Sequence, residues 1–279
     1  MIQVTVTEKD VNFARWEARK KRSFPFRRSK TDLLHVIDAT SESVELEKIA
    51  LDYDMCDVCD FRDLNWATAN SVLHILVNVY YVFPRIRSNV CYLGSKRGYI
   101  SLLRSLCDND RRAIDALALR DVCSLPFLSD LAGRCLDELN AVVFNNYRQN
   151  VLAQAYRMFG LLDGVIFDEA DFRGLGYRAL CSSLRYGEST RFHPVGCGTP
   201  DSVIYHEFGH LLDYLCNISD DADFLAYRRR LSDQAVTDRL SSYATTDNRE
   251  FVAEAIAEYY CNANTRELSA FVWDLLGKK

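Results

Sequence analysis

Two histidines four residues apart, with a glutamate directly after the first, stand at His206-Glu207-Phe208-Gly209-His210, and forty residues on Glu250 opens the segment Glu250-Phe-Val-Ala-Glu254-Ala. Residues four apart on an α-helix lie one above the other, about 5–6 Å apart at Cβ, so the spacing predicts a helix whose two imidazoles grip one ion. Glu207 then points about 100° around the helix from His206, where it holds a water molecule as general base without being a ligand. A catalytic zinc takes three protein ligands and leaves one position open to water, whose pKa it lowers to about 7. The two histidines leave one ligand to find.

The flanks favour this helix. Ile204, Tyr205, Phe208, Leu211, Leu212 and Leu215 supply an apolar surface, and Asn217, Ser219 and the Asp220-Asp221 pair predict a stop near Cys216. Gly209 costs a helix interior about 1 kcal/mol against alanine, which calls for a reason such as close approach of another backbone or of substrate. Histidine is scarce: His35, His74, His193, His206 and His210 are all there are, so two at ligand spacing around a glutamate argue against chance.

A second helix is expected over Glu250 to Tyr260, with Phe251, Val252, Ala255, Ile256 and Tyr259 for a core face and Glu250, Glu254 and Glu258 as an acidic stripe. Glu250 is assigned as the third ligand and Glu254 as the acceptor of a ligand histidine's free ring N–H, which fixes its tautomer. A plainer reading makes Asp247 an N-cap with Glu250 at the third helical position, and Glu254 and Glu258 a solvated face. Asp213, two turns after His206, is a further candidate for orienting a ligand or else a surface residue.

These residues together resemble the gluzincin peptidases, most closely the anthrax lethal factor-like peptidases: His206 to His210, the Glu250 to Ala255 helix opening, and Tyr243 seven residues before Glu250. The segment from Phe192 to His206 is similar to the zincin-like domains of phage and prophage minor head proteins. The likeness covers roughly residues 160 to 265 and none of the first 150. It implies one Zn2+ per chain on His206, His210 and Glu250, with Glu207 as catalytic base. It also implies that Tyr243 donates its O–H to the oxyanion, a contribution typically of about 2.7–4 kcal/mol. From the residues alone, Tyr243 after Ser241-Ser242 also reads as a half-buried loop residue. His193, beside Pro194, sits on a loop entering the motif helix and either lines the cleft or makes a local hydrogen bond.

The expected fold is α+β and zincin-like, mostly helical with a small mixed sheet whose edge strand borders the active-site helix. Strands are expected at Ile2 to Thr7, Val90 to Leu93, Gly164 to Ala170 and Tyr177 to Arg185, the last as an edge on which an extended peptide adds as a strand. Gly174, Gly176, Gly187, Gly196 and Gly198 read as turns or mobile edges of the cleft. Ser71 to Phe83 reads as a buried helix ended by Pro84, too short and too interrupted by His74 and Asn78 for a bilayer span. Residues 1–45 are expected to form an N-terminal extension and 46–279 one domain, helical over 46–160 and carrying strands and metal site over 161–279.

Eight basic residues between Arg15 and Lys30 face one acid, Glu17, in a chain of net charge −5. This arm is a solvated segment, or a contact for nucleic acid or an acidic partner. Ten scattered cysteines without a secretory signal pattern predict reduced thiols and a cytoplasmic setting, with delivery in a phage particle or by a non-classical route left open. Cys56-Asp-Val-Cys59 has zinc-knuckle spacing but no second pair, so buried thiols are the default. The expected activity is hydrolysis of peptide bonds in a protein or peptide substrate. The alternatives are a phage-type structural or assembly protein with little activity in trans, and a metal-free binding module.

Overall fold

A computed structural model describes residues 29–117, 125–145, 152–156 and 162–279. The expected strand at Ile2 to Thr7 and the basic arm up to Arg28 lie outside the described residues, as does Cys123. The chain divides into two compact units, residues 1–169 and 170–279.

The first unit holds the sheet. Helix α1 (Lys30–Asp38) starts where Ser29 Oγ accepts the Asp32 N–H, and α2 (Ser43–Asp52) follows. Helix α3 (Trp66–Val82) is capped by Asn65 and buries Val72, Leu73, Leu76 and Val79; it stops before Pro84, which opens a 3-10 turn over Pro84–Asn89. Proline lacks the N–H that another helical turn needs, so the expected buried helix ends where the sequence placed its end. Strands β1 (Val58–Asp60), β2 (Tyr92–Ser95), β3 (Ala153–Tyr156) and β4 (Gly164–Phe167) form a mixed sheet of order β1-β2-β4-β3. β1, β2 and β4 run parallel, and β3 pairs antiparallel with β4. Every residue of β2 and β4 is buried, as expected for interior parallel strands. Helices α4 (Lys96–Cys107), α5 (Arg111–Ala116) and α6 (Leu125–Asn145) complete this unit; Tyr99, Leu103 and Leu106 of α4 share a core with Leu131 and Cys135 of α6 and with Tyr92, Tyr156 and Ile166 of the sheet.

The second unit, described in full, is helical: α7 (Gly174–Ser189), α8 (Pro200–Cys216), α9 (Ala222–Arg228), α10 (Asp233–Arg239), a 3-10 turn at Tyr243–Thr245, α11 (Asn248–Cys261) and α12 (Glu267–Leu276). The edge strand expected at Tyr177 to Arg185 is part of α7, and no strand lies in this unit. That segment has no β-branched residue, and the buried positions of the whole helix, Leu180, Leu184 and Gly187, follow the helical period rather than the alternation of a strand. The unit that carries the motif helix therefore offers no strand edge to which a peptide could add. The chain as described is α+β, mostly helical with a small mixed four-stranded sheet. Among the described residues no helix is long and apolar enough to cross a membrane, and the described cysteines are free thiols.

Candidate metal centre

The motif helix α8 begins with Pro200 at a first-turn position, where a missing N–H costs nothing. It ends at Cys216 because Asn217 takes a left-handed conformation, φ 54° and ψ 47°. The Asp213 carboxylate is buried and accepts the Ser219 N–H at 2.7 Å, so it secures the turn that closes the helix. Ile204, Phe208, Leu211 and Leu212 are fully buried, and α8 packs along α11.

Gly209 marks the closest approach of these two helices. A Cβ there would stand 2.8 Å from the Cα of Ala253 and 3.2 Å from its carbonyl oxygen, so backbone meets backbone. Gly209→Ala is therefore expected to destabilise the fold by about 1–3 kcal/mol through overpacking, although alanine is the better helix former. A thermal midpoint at or above wild type would contradict this.

The crossing places α11 opposite the histidines. His206 Nε2 lies 3.1 Å from His210 Nε2 and 3.1 Å from Glu250 Oε2, and His210 Nε2 lies 3.5 Å from the same oxygen. A tetrahedral site with bonds of about 2.0–2.1 Å separates its ligand atoms by about 3.3–3.4 Å, and these three distances bracket that value. Glu250 Oε2 is buried and accepts no hydrogen bond. The donor set thus fits a metal, and His206, His210 and Glu250 form a group that could hold one ion.

Glu254, one turn further along α11, fixes the His206 ring. It is 2 % exposed, and its Oε1 lies 2.9 Å from His206 Nδ1, which must carry the proton to donate to a carboxylate. In the neutral ring, the form that binds a metal, His206 Nε2 is then left as a lone pair facing Glu250. Burial opposes a charge on His206, but the Glu250 and Glu254 carboxylates outweigh it and drive the imidazole pKa well above its ordinary value. Burial likewise pushes Glu254 up, and the His193 and His206 rings overcome it, bringing the carboxyl down to about 2. Glu250 is also held well below the usual carboxylate range, with the facing His206 and His210 rings prevailing over burial.

The other expected residues gather around this pair. Glu207 is buried beside His206 in sequence, and its charge acts on both His206 and Tyr243. The Tyr243 ring lies over the His206 ring at 5.9 Å, and its turn is tied down by Tyr243 N–H donating to the Phe192 carbonyl and Ser242 N–H to that of Arg191. Burial first, then Glu250, raises the Tyr243 phenol and keeps it protonated. His193 packs its ring against Gly187, where a Cβ would come within 2.6 Å, and brings Nδ1 to 3.8 Å from Glu254 Oε1, an ion-pair distance rather than a hydrogen bond.

Both readings of the acidic stripe contain part of the arrangement. Asp247 does cap α11, accepting the N–H groups of Arg249 and Glu250, yet the Glu250 side chain faces the imidazoles. Glu254 and Glu258 are not a solvated face. Glu258 is fully buried and takes hydrogen bonds from Arg266, Ser269 and Asn262. Of the glycines read as turns or mobile edges, Gly196 stands against the Cys261 carbonyl and Gly198 against Glu188, whereas Gly174 takes a left-handed φ of 57° with nothing within 4 Å. Sequence reasoning passed over Ser241, whose buried hydroxyl donates to Glu254 Oε2 at 2.8 Å; a lone serine carries no spacing signal.

No protein-family model, no curated protein and no solved structure matches this chain.

Proposed function

We propose that the chain is a zinc-dependent endopeptidase of gluzincin type, with one zinc on His206, His210 and Glu250. The observation that carries this reading is the convergence of three ligand atoms at 3.1, 3.1 and 3.5 Å, one of them a buried carboxylate oxygen with no hydrogen bond. Two imidazoles and one carboxylate with an open fourth position is the donor set of a hydrolytic zinc site. Zinc bound there supplies Lewis acidity to the scissile carbonyl and acidity to water.

The chain's own residues carry the proton and the charge. Glu207 takes a proton from water as its oxygen bonds to the carbonyl carbon, then delivers that proton to the amine nitrogen as the C–N bond breaks. Glu254 holds His206 in one tautomer. The Tyr243 O–H, kept protonated by its surroundings, donates to the oxyanion. Tyr243→Phe is expected to lower kcat about 10²–10³-fold with little change in metal content; undiminished kcat would remove Tyr243 from the mechanism.

The test of the whole reading is cleavage of a diverse peptide mixture by purified protein, followed by mass spectrometry, with and without chelator. Cleavage that chelator abolishes and added zinc restores supports the proposal. Zinc binding without cleavage would favour the structural or assembly protein, and absence of zinc binding the metal-free module.

A further inference from the structure

The bonds that hold Glu254 reach one residue beyond the ligand it orients. Its Oε1 is engaged by His206 Nδ1 at 2.9 Å, and its Oε2 accepts the Ser241 hydroxyl at 2.8 Å. Ser241 is fully buried, and its Oγ also accepts the N–H of Ala244 at 3.1 Å, inside the 3-10 turn that presents Tyr243. One hydroxyl therefore ties the carboxylate behind His206 to the turn that lays the Tyr243 ring over His206.

We infer that Ser241 is a positioning residue, which locks the Glu254 carboxylate against rotation and sets the Tyr243 turn in register with His206. A glutamate's terminal torsion is broad and two-fold, so a carboxylate held through one oxygen swings. The donor at the second oxygen removes that freedom, and the Ser241 backbone makes it part of the turn. Outer partners of this sort typically contribute about 10–100-fold to metal affinity. The inference rests on the proposed function only in taking His206 as a ligand; the hydrogen bonds stand without it.

The test compares wild type, Ser241→Ala, Glu254→Ala and the double variant by zinc titration against a competing chelator, with thermal unfolding of the metal-free forms alongside. Ser241→Ala is expected to weaken zinc about ten-fold, and to change it less than about two-fold when Glu254 is already alanine. Unchanged affinity, or the same loss in both backgrounds, overturns the inference. Should Ser241→Ala fail to fold, Ser241→Cys keeps the shape with a weak S–H donor and is expected to show part of the loss. Imidazole 15N shifts of His206 in the metal-free protein, recorded at a pH where the ring is neutral and its tautomer is read, give a readout independent of zinc. If the wild type binds no zinc, the zinc reading fails, and loss of the Nδ1–H pattern in Ser241→Ala upholds the inference while its retention overturns it.

Discussion

Glu207→Gln is expected to abolish peptide cleavage while the protein keeps its zinc. The amide is close in size and fits the same buried place on α8, but it cannot take a proton from water, and positioned acid–base groups typically contribute about 10²–10⁴-fold. A loss at or beyond the upper end of that range is expected, because one carboxylate serves in both proton transfers. Elemental analysis and kcat measured on the same sample separate chemistry from binding. If Glu207→Gln cleaves at the wild-type rate, Glu207 is not the base; if zinc disappears with activity, it acts on the site's integrity instead.

The second large effect is loss of the metal itself. Wild-type protein is expected to carry about one zinc per chain, and His206→Ala and Glu250→Ala to carry little or none, since three protein ligands are the minimum that catalytic zinc sites use. Each deletion also leaves its former partners facing each other without the ion. Retention of zinc by Glu250→Ala would move the third ligand elsewhere. Affinity should also fall as pH is lowered. The metal-free His206 has a raised pKa because Glu250 and Glu254 outweigh its burial, so below that pKa zinc must displace a proton, and the competition sets in above the ordinary imidazole value of about 6.5.

The centre was more legible in the sequence than the fold around it. Four-residue spacing has one geometric meaning on a helix, and the Asn217 stop and Pro84 break follow from backbone chemistry that acts locally. Tyr177 to Arg185 has the length of a strand between flanking glycines, and its helical period emerges only with the buried set Leu180, Leu184 and Gly187 of the whole helix. Glu254 takes the ring N–H of His206 that the motif assigns to it, but the inward turn of Glu258 is not legible. Its partners Arg266 and Ser269 lie 8 and 11 residues away, and nothing in the local pattern distinguishes a glutamate awaiting such a partner from one in water. Gly209 signalled a close approach, and the structure supplies the neighbour, Ala253.

The row of acids on α11 has a consequence for how the second unit assembles. Glu250, Glu254 and Glu258 lie on successive turns of one helix, facing inward. An unpaired buried carboxylate is strongly unfavourable, so α11 cannot dock by hydrophobic collapse alone. Its far end must meet Arg266 and Ser269 from the chain that leads into and forms α12, and its middle must meet His206 of α8 and the Ser241 hydroxyl. The native contacts of this helix are thereby coupled to its neighbours: α11 buries its acids with partners only when α8, the Ser241 turn and the start of α12 are all in place.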